Sequence, residues 1–98
     1  MTEDRTTNRR RRWLFLTNHA HVLVCVAREP GMRMRDIAAE VGITERAVQL
    51  ILRDLEREGY VTPRRVGRRN AYSVKLSLPM RHPLHDSHVV EELVRVLA

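Results

Sequence analysis

Residues 32–61 read MRMRDIAAEVGITERAVQLILRDLEREGYV, and the fold turns on how that stretch divides. Ile37, Ala38 and Val41 recur at helical spacing, which predicts a short helix over 35–41. Gly42 stops it, because glycine enters a left-handed turn without steric cost. Ile43 then packs inward and Thr44 caps a second helix. That helix is expected to run from Glu45 to Glu58, with Val48, Ile51, Leu52 and Leu55 as a buried stripe at i, i+3, i+4 and i+7. Gly59 closes it. Ahead of the pair, Met32–Met34 reads as a short extended segment.

Outward from this centre, Thr17 or Asn18 can cap a helix reaching about Arg28, with Val22, Val24, Cys25 and Val26 in its apolar part. Glu29-Pro30-Gly31 terminates it. Beyond Gly59 the hydrophobic period changes to alternation. Val61 and Val66 lie in one run and Tyr72, Val74 and Leu76 in the next, with Gly67-Arg68-Arg69-Asn70 between them. This predicts a β-hairpin with arginine at its tip. After Pro79 and Pro83, a last helix is expected from about Ser87 to Leu97. Its Val89, Val90, Leu93, Val94, Val96 and Leu97 are more apolar positions than one side of a small core needs. The division is therefore a disordered basic arm over 1–12, a globular domain over 13–79, and a terminal helix over 80–98 suited to dimerisation. The fold class is mainly α with a small β-hairpin, in the order α-β-α-α-β-β-α.

The chain has 98 residues and a mass of 11.5 kDa, one domain with a modest core. Cys25 stands alone, which excludes a disulfide framework. Eighteen Lys and Arg face twelve Asp and Glu, for a net charge of +6, and Lys75 is the only lysine. Arginine's planar fork suits phosphate and base edges. The charge is also segregated. Residues 1–12 carry five arginines against Glu3 and Asp4, and residues 64–81 carry six bases and no acid, whereas 28–58 and 82–98 are slightly acidic. Two basic appendages around a near-neutral body suit a nucleic-acid binder. The apolar run Trp13–Leu16 is broken by Thr17, Asn18, His19 and His21, unlike an export signal. No stretch approaches a membrane span, so a cytoplasmic protein is expected. Catalysis finds no footing: Cys25 lies between Val24 and Val26, and there is no glycine-rich phosphate loop or carboxylate pair. No enzyme activity and no cofactor are expected.

The central pair has the register of a helix-turn-helix. With Met34 as position one, Ile37 and Ala38 fall at four and five, Val41 at eight, Gly42 at nine, Ile43 at ten, Val48 at fifteen and Ile51 at eighteen. Together with the wing-like Val66-Gly67-Arg68-Arg69-Asn70, the stretch Met32–Val61 resembles the winged helix-turn-helix regulators of MarR type, over roughly residues 17–76. In length the chain is more similar to ArsR-type relatives. Full MarR regulators carry additional dimerisation helices, so their effector pocket is not carried over.

The resemblance implies that the helix after Thr44 enters a major groove of double-stranded DNA. Its face opposite the apolar stripe is Arg46, Gln49, Leu50, Arg53 and Arg57. Arg46 and Gln49 are the expected base readers. Arg53 is a further reader or a phosphate contact, and Thr44 a phosphate contact. Leu50 either touches a thymine methyl or packs under a neighbour. Arg68 and Arg69 would reach the adjacent minor groove or its backbone, with one of Arg64 and Arg65 also facing DNA. A homodimer would match half-sites about one turn (~34 Å) apart. Two alternatives stand beside this reading. One is a metal-responsive sensor of ArsR type using His82, His85 and His88. The other is a winged helix used for protein contact.

Overall fold

The computed structural model describes residues 13–98, and the basic arm expected over 1–12 lies outside the described residues. Helix α1 spans Asn18–Arg28. Thr17 precedes it in extended conformation, and its Oγ1 accepts the Ala20 N–H at 3.2 Å. This satisfies one of the donors that a helix start leaves orphaned. The helix buries Val22, Leu23, Cys25 and Val26.

Helix α2 spans Met34–Val41 and helix α3 Glu45–Arg57. Gly42 joins them at φ 87°, ψ 34°. Its N–H and that of Ile43 both donate to the Ala38 carbonyl, at 2.8 and 3.0 Å, closing the end of α2 as a left-handed cap does. Thr44 Oγ1 accepts the Ala47 N–H at 3.0 Å and starts α3. The expected stripe of Val48, Ile51, Leu52 and Leu55 is buried. Gly59 follows α3 at φ 86°.

Strands β1, Val61–Val66, and β2, Arg69–Val74, form an antiparallel hairpin in which Val61 pairs with Val74 and Val66 with Arg69. That register leaves Gly67-Arg68 as a two-residue turn. Gly67 has φ 66° and Arg68 is not left-handed, the sign pattern of a type II′ hairpin turn, which requires glycine first. The turn is thus shorter than the four-residue tip expected, and Arg69 and Asn70 belong to β2.

Two expectations about elements are corrected. Met32–Met34 forms no strand: Arg33 is extended, but Met34 already opens α2. What survives of a third strand is one ladder-like bond, from the Tyr72 N–H to the Pro30 carbonyl at 3.1 Å. The last helix, α4, spans Val90–Leu97 rather than starting at Ser87. The preceding backbone is committed elsewhere. His85 and His88 N–H groups close turns onto His82 and His85 carbonyls, and Met80 N–H donates to His88. Pro79 and Val89 form a β-bridge, which holds Val89 extended. The Glu92 carboxylate then accepts the Val89 N–H at 3.1 Å.

The core lies where α1, α2 and α3 converge on the base of the hairpin, with Val90 of α4 joining it. Val22, Val26, Ile37, Val48 and Val61 have essentially no exposure. Each such side chain contributes about 1.5–3 kcal/mol by leaving water. Packing of the α2–α3 pair onto α1 fixes the direction in which the opposite face of α3 looks.

Candidate nucleic-acid interface

At about 100° per residue, the buried stripe of α3 occupies one side of the helix. Arg46, Gln49, Leu50, Arg53 and Arg57 fall on the other, and all five are exposed. Leu50 is the one exception to the segregation, because every other large aliphatic of α3 is buried. Thr44 stands at the N-terminal end of this face. Its oxygen is engaged by Ala47, so its hydroxyl hydrogen remains available to an acceptor, beside the positive end of the helix dipole.

Arg46 donates to Gln49 Oε1 at 3.4 Å. This weak bond turns the Gln49 amide so that its NH₂ remains free to donate outward. A bidentate contact to adenine, which needs the same Oε1 as acceptor, would require that bond to break. Among the described residues, Arg46 and Arg53 make no ion pair, so their charge is presented outward.

The C-terminal half of the face is more neutral. Asp54 receives His19 Nε2 at 2.9 Å and Arg57 at 3.7 Å. The hydrogen bond to His19, aided by the charges of Arg57 and Arg53, holds the Asp54 carboxyl below the usual carboxylate range. This clip ties the start of α1 to the last turn of α3. The sequence offered no local sign of it, since the partners lie 35 residues apart.

On the hairpin, Arg64 pairs across from Ala71 and Arg65 from Asn70. Strand alternation therefore turns them to opposite faces. Arg65 continues the core-facing side of Val61, Pro63 and Tyr72, and Arg64 shares the outer side with Thr62 and Ser73. Arg68 occupies the turn itself, and all four wing arginines are exposed. Arg69 also lines a hollow of about 190 Å³ with Arg33, Met32, Met34 and Tyr72. Arg33 thereby joins the wing's basic charge, although its place before α2 had given it no role in the sequence.

The histidine alternative does not assemble. His82 and His85 rings lie 5.6 Å apart and tilted, and His82 Nδ1 accepts the Leu84 N–H at 3.0 Å. His88 Nδ1 is bound to Glu92 at 2.7 Å. Among the described residues no group of three His, Cys, Asp or Glu side chains is placed to hold a metal ion. Also among them, no helix is long and apolar enough to cross a membrane.

Comparison with known proteins agrees with this geometry. Residues 17–62 match the family described as winged helix-turn-helix DNA-binding. Among solved structures, the chain is similar to MepR, a transcription regulator of the Staphylococcus aureus multidrug efflux pump MepA. The TM-score is 0.56 and the identity 23%, over 85% of this chain and 56% of that one. The chain thus spans little more than half the length of that regulator. No curated protein matches the sequence. The resemblance carried by Met32–Val61 and the three-dimensional likeness lead to one fold. Residues Thr17 to Thr62 thus match the winged helix-turn-helix DNA-binding family, and with β2 completing the hairpin the fold is that of a winged helix-turn-helix.

Proposed function

We propose that the chain is a sequence-specific transcriptional regulator that binds double-stranded DNA as a homodimer, with α3 in the major groove and the wing on the adjacent minor groove or backbone. The observation that carries this reading is the outer face of α3. Arg46, Gln49 and Arg53 stand exposed there, on a helix whose opposite side is entirely in the core. In this reading Arg46 and Gln49 read base edges, Arg53 reads or grips the flanking backbone, and Thr44 holds a phosphate. Arg64, Arg65, Arg68 and Arg69 supply backbone and wing contacts. The four arginines of the hairpin, with no acid among its residues, support the wing's part through the salt-dependent attraction of a phosphate backbone.

The dimer is supported by α4. Val90 and Val94 pack on the core, whereas Val96 is 79% exposed and Leu97 is open as well, leaving an apolar flank for a second copy. A domain over 13–79 then binds DNA and residues 80–98 join the protomers. Action on chromosomal DNA implies a cytoplasmic protein.

Selection of bound oligonucleotides from a random pool tests the proposal. A recurring, two-fold-related sequence with half-sites about one turn (~34 Å) apart is expected. Arg46→Ala should weaken binding to it by about 1–3 kcal/mol and relax the preference at one base. A pool that enriches no sequence refutes the reading.

A further inference from the structure

Leu50 is the one apolar side chain on the outer face of α3, and it is 42% exposed. At about 100° per residue it projects between Arg46 and Asp54, close to the azimuth of Arg57 and far from the buried stripe. It belongs neither to the buried core cluster nor to the half-buried hydrophobics packed against it. Leu50 is therefore not part of the core packing.

Its surroundings narrow what can cover it. Arg46 and Arg53 flank it, and among the described residues neither has a carboxylate partner. An apolar protein surface covering Leu50 would bury those guanidinium groups with only Asp54 nearby, a carboxylate already engaged by His19 and Arg57, at a high desolvation cost. A duplex covers them with phosphates and guanine acceptors. Of the groups a major groove displays, only the thymine C5-methyl is apolar.

We infer that Leu50 is a specificity-determining residue that reads the C5-methyl of a thymine beside the base contacted by Arg46. Leu50's role here rests on the DNA-binding function proposed above. The free NH₂ of Gln49 extends it. A donor beside a methyl-seeking leucine matches the edge of one base, thymine, whose O4 accepts next to its methyl. The neighbouring Arg46 would take guanine O6 and N7. The half-site should therefore contain thymine next to the arginine-contacted guanine.

The test substitutes deoxyuridine for each thymine of the selected site in turn, which deletes the methyl and keeps every hydrogen-bonding group. Wild-type protein should lose about fourfold in affinity at one thymine per half-site, the worth of one buried methyl group. It should lose nothing elsewhere. For Leu50→Ala, thymine and deoxyuridine sites should bind alike. The deoxyuridine arm needs no variant, so it stands whatever the stability of Leu50→Ala. The inference is overturned if the half-site lacks thymine, if wild-type protein is indifferent to every substitution, or if Leu50→Ala retains the methyl preference. Arg46→Ala separates the two levels. If it still weakens binding while deoxyuridine does not, only the role of Leu50 falls; if no sequence is enriched at all, both fall.

Discussion

Replacing Gly42 by alanine tests the joint on which the α2–α3 geometry depends. Gly42 has φ 87° and ψ 34°, and a Cβ added there meets no atom within 4 Å. The cost is therefore confined to the backbone. A left-handed residue with a Cβ loses about 1–2 kcal/mol, and alanine returns part of that, about 0.4–1 kcal/mol, by restricting the unfolded chain. A net loss of about 1 kcal/mol is expected, which for a domain of this size lowers Tm by about 4–8 °C. Asparagine visits the left-handed region more readily, so Gly42→Asn should lose clearly less. Gly31 supplies the control, because it also has no atom near its would-be Cβ but its φ is not left-handed. Gly31→Ala should be neutral or slightly stabilising. Thermal unfolding followed by far-UV circular dichroism measures all three. If Gly42→Ala melts no lower than Gly31→Ala, or Gly42→Asn melts lowest, the left-handed joint does not set the stability of this pair.

Two further outcomes are expected. Arg68→Ala, at the hairpin turn, should weaken binding to all DNA sequences alike and reduce the slope of log affinity against log salt by about one; a titration series showing an unchanged slope would take the wing off the DNA. Glu92 is held below its ordinary carboxyl range by the His88 ring and the Val89 N–H. The unfolded chain therefore binds this proton more readily, so the carboxylate's stabilisation is complete above the ordinary value of about 4.3 and fades as pH falls through the lower folded value. Glu92→Gln should accordingly melt below wild type at pH 7, with the gap closing in acid; a gap independent of pH would mean the ionised carboxylate does not anchor α4.

The elements that were legible in the sequence are those whose signals are local. Thr17 and Thr44 each supply an acceptor to a backbone N–H three residues on. Gly42 and Gly59 end helices through their own φ, and the stripe of α3 follows from helical spacing alone. These marks act within one or two turns of chain, so reading them needs no knowledge of what lies across the molecule. The arginine-and-glutamine face of α3 was legible for the same reason, as the complement of an apolar stripe.

Tertiary structure decided the rest, wherever a backbone or side-chain group found its partner far along the chain. Met32–Met34 had the composition for an extended segment. A strand exists only through its ladder, and here a single bond from Tyr72 reaches Pro30. The start of α4 moved to Val90 because Leu78 and Leu76 carbonyls take the Val90 and Glu91 N–H groups, a pairing no periodicity encodes. The clip from His19 to Asp54 depends on the angle at which α1 crosses α3. The choice left open at Leu50 was settled the same way. Helical spacing put it on the outer side, but only the packed neighbours of α3 show that the core leaves it out and that it stays 42% exposed. Sequence specifies what a segment can do with its own atoms; which distant atoms arrive to meet it is a property of the assembled fold.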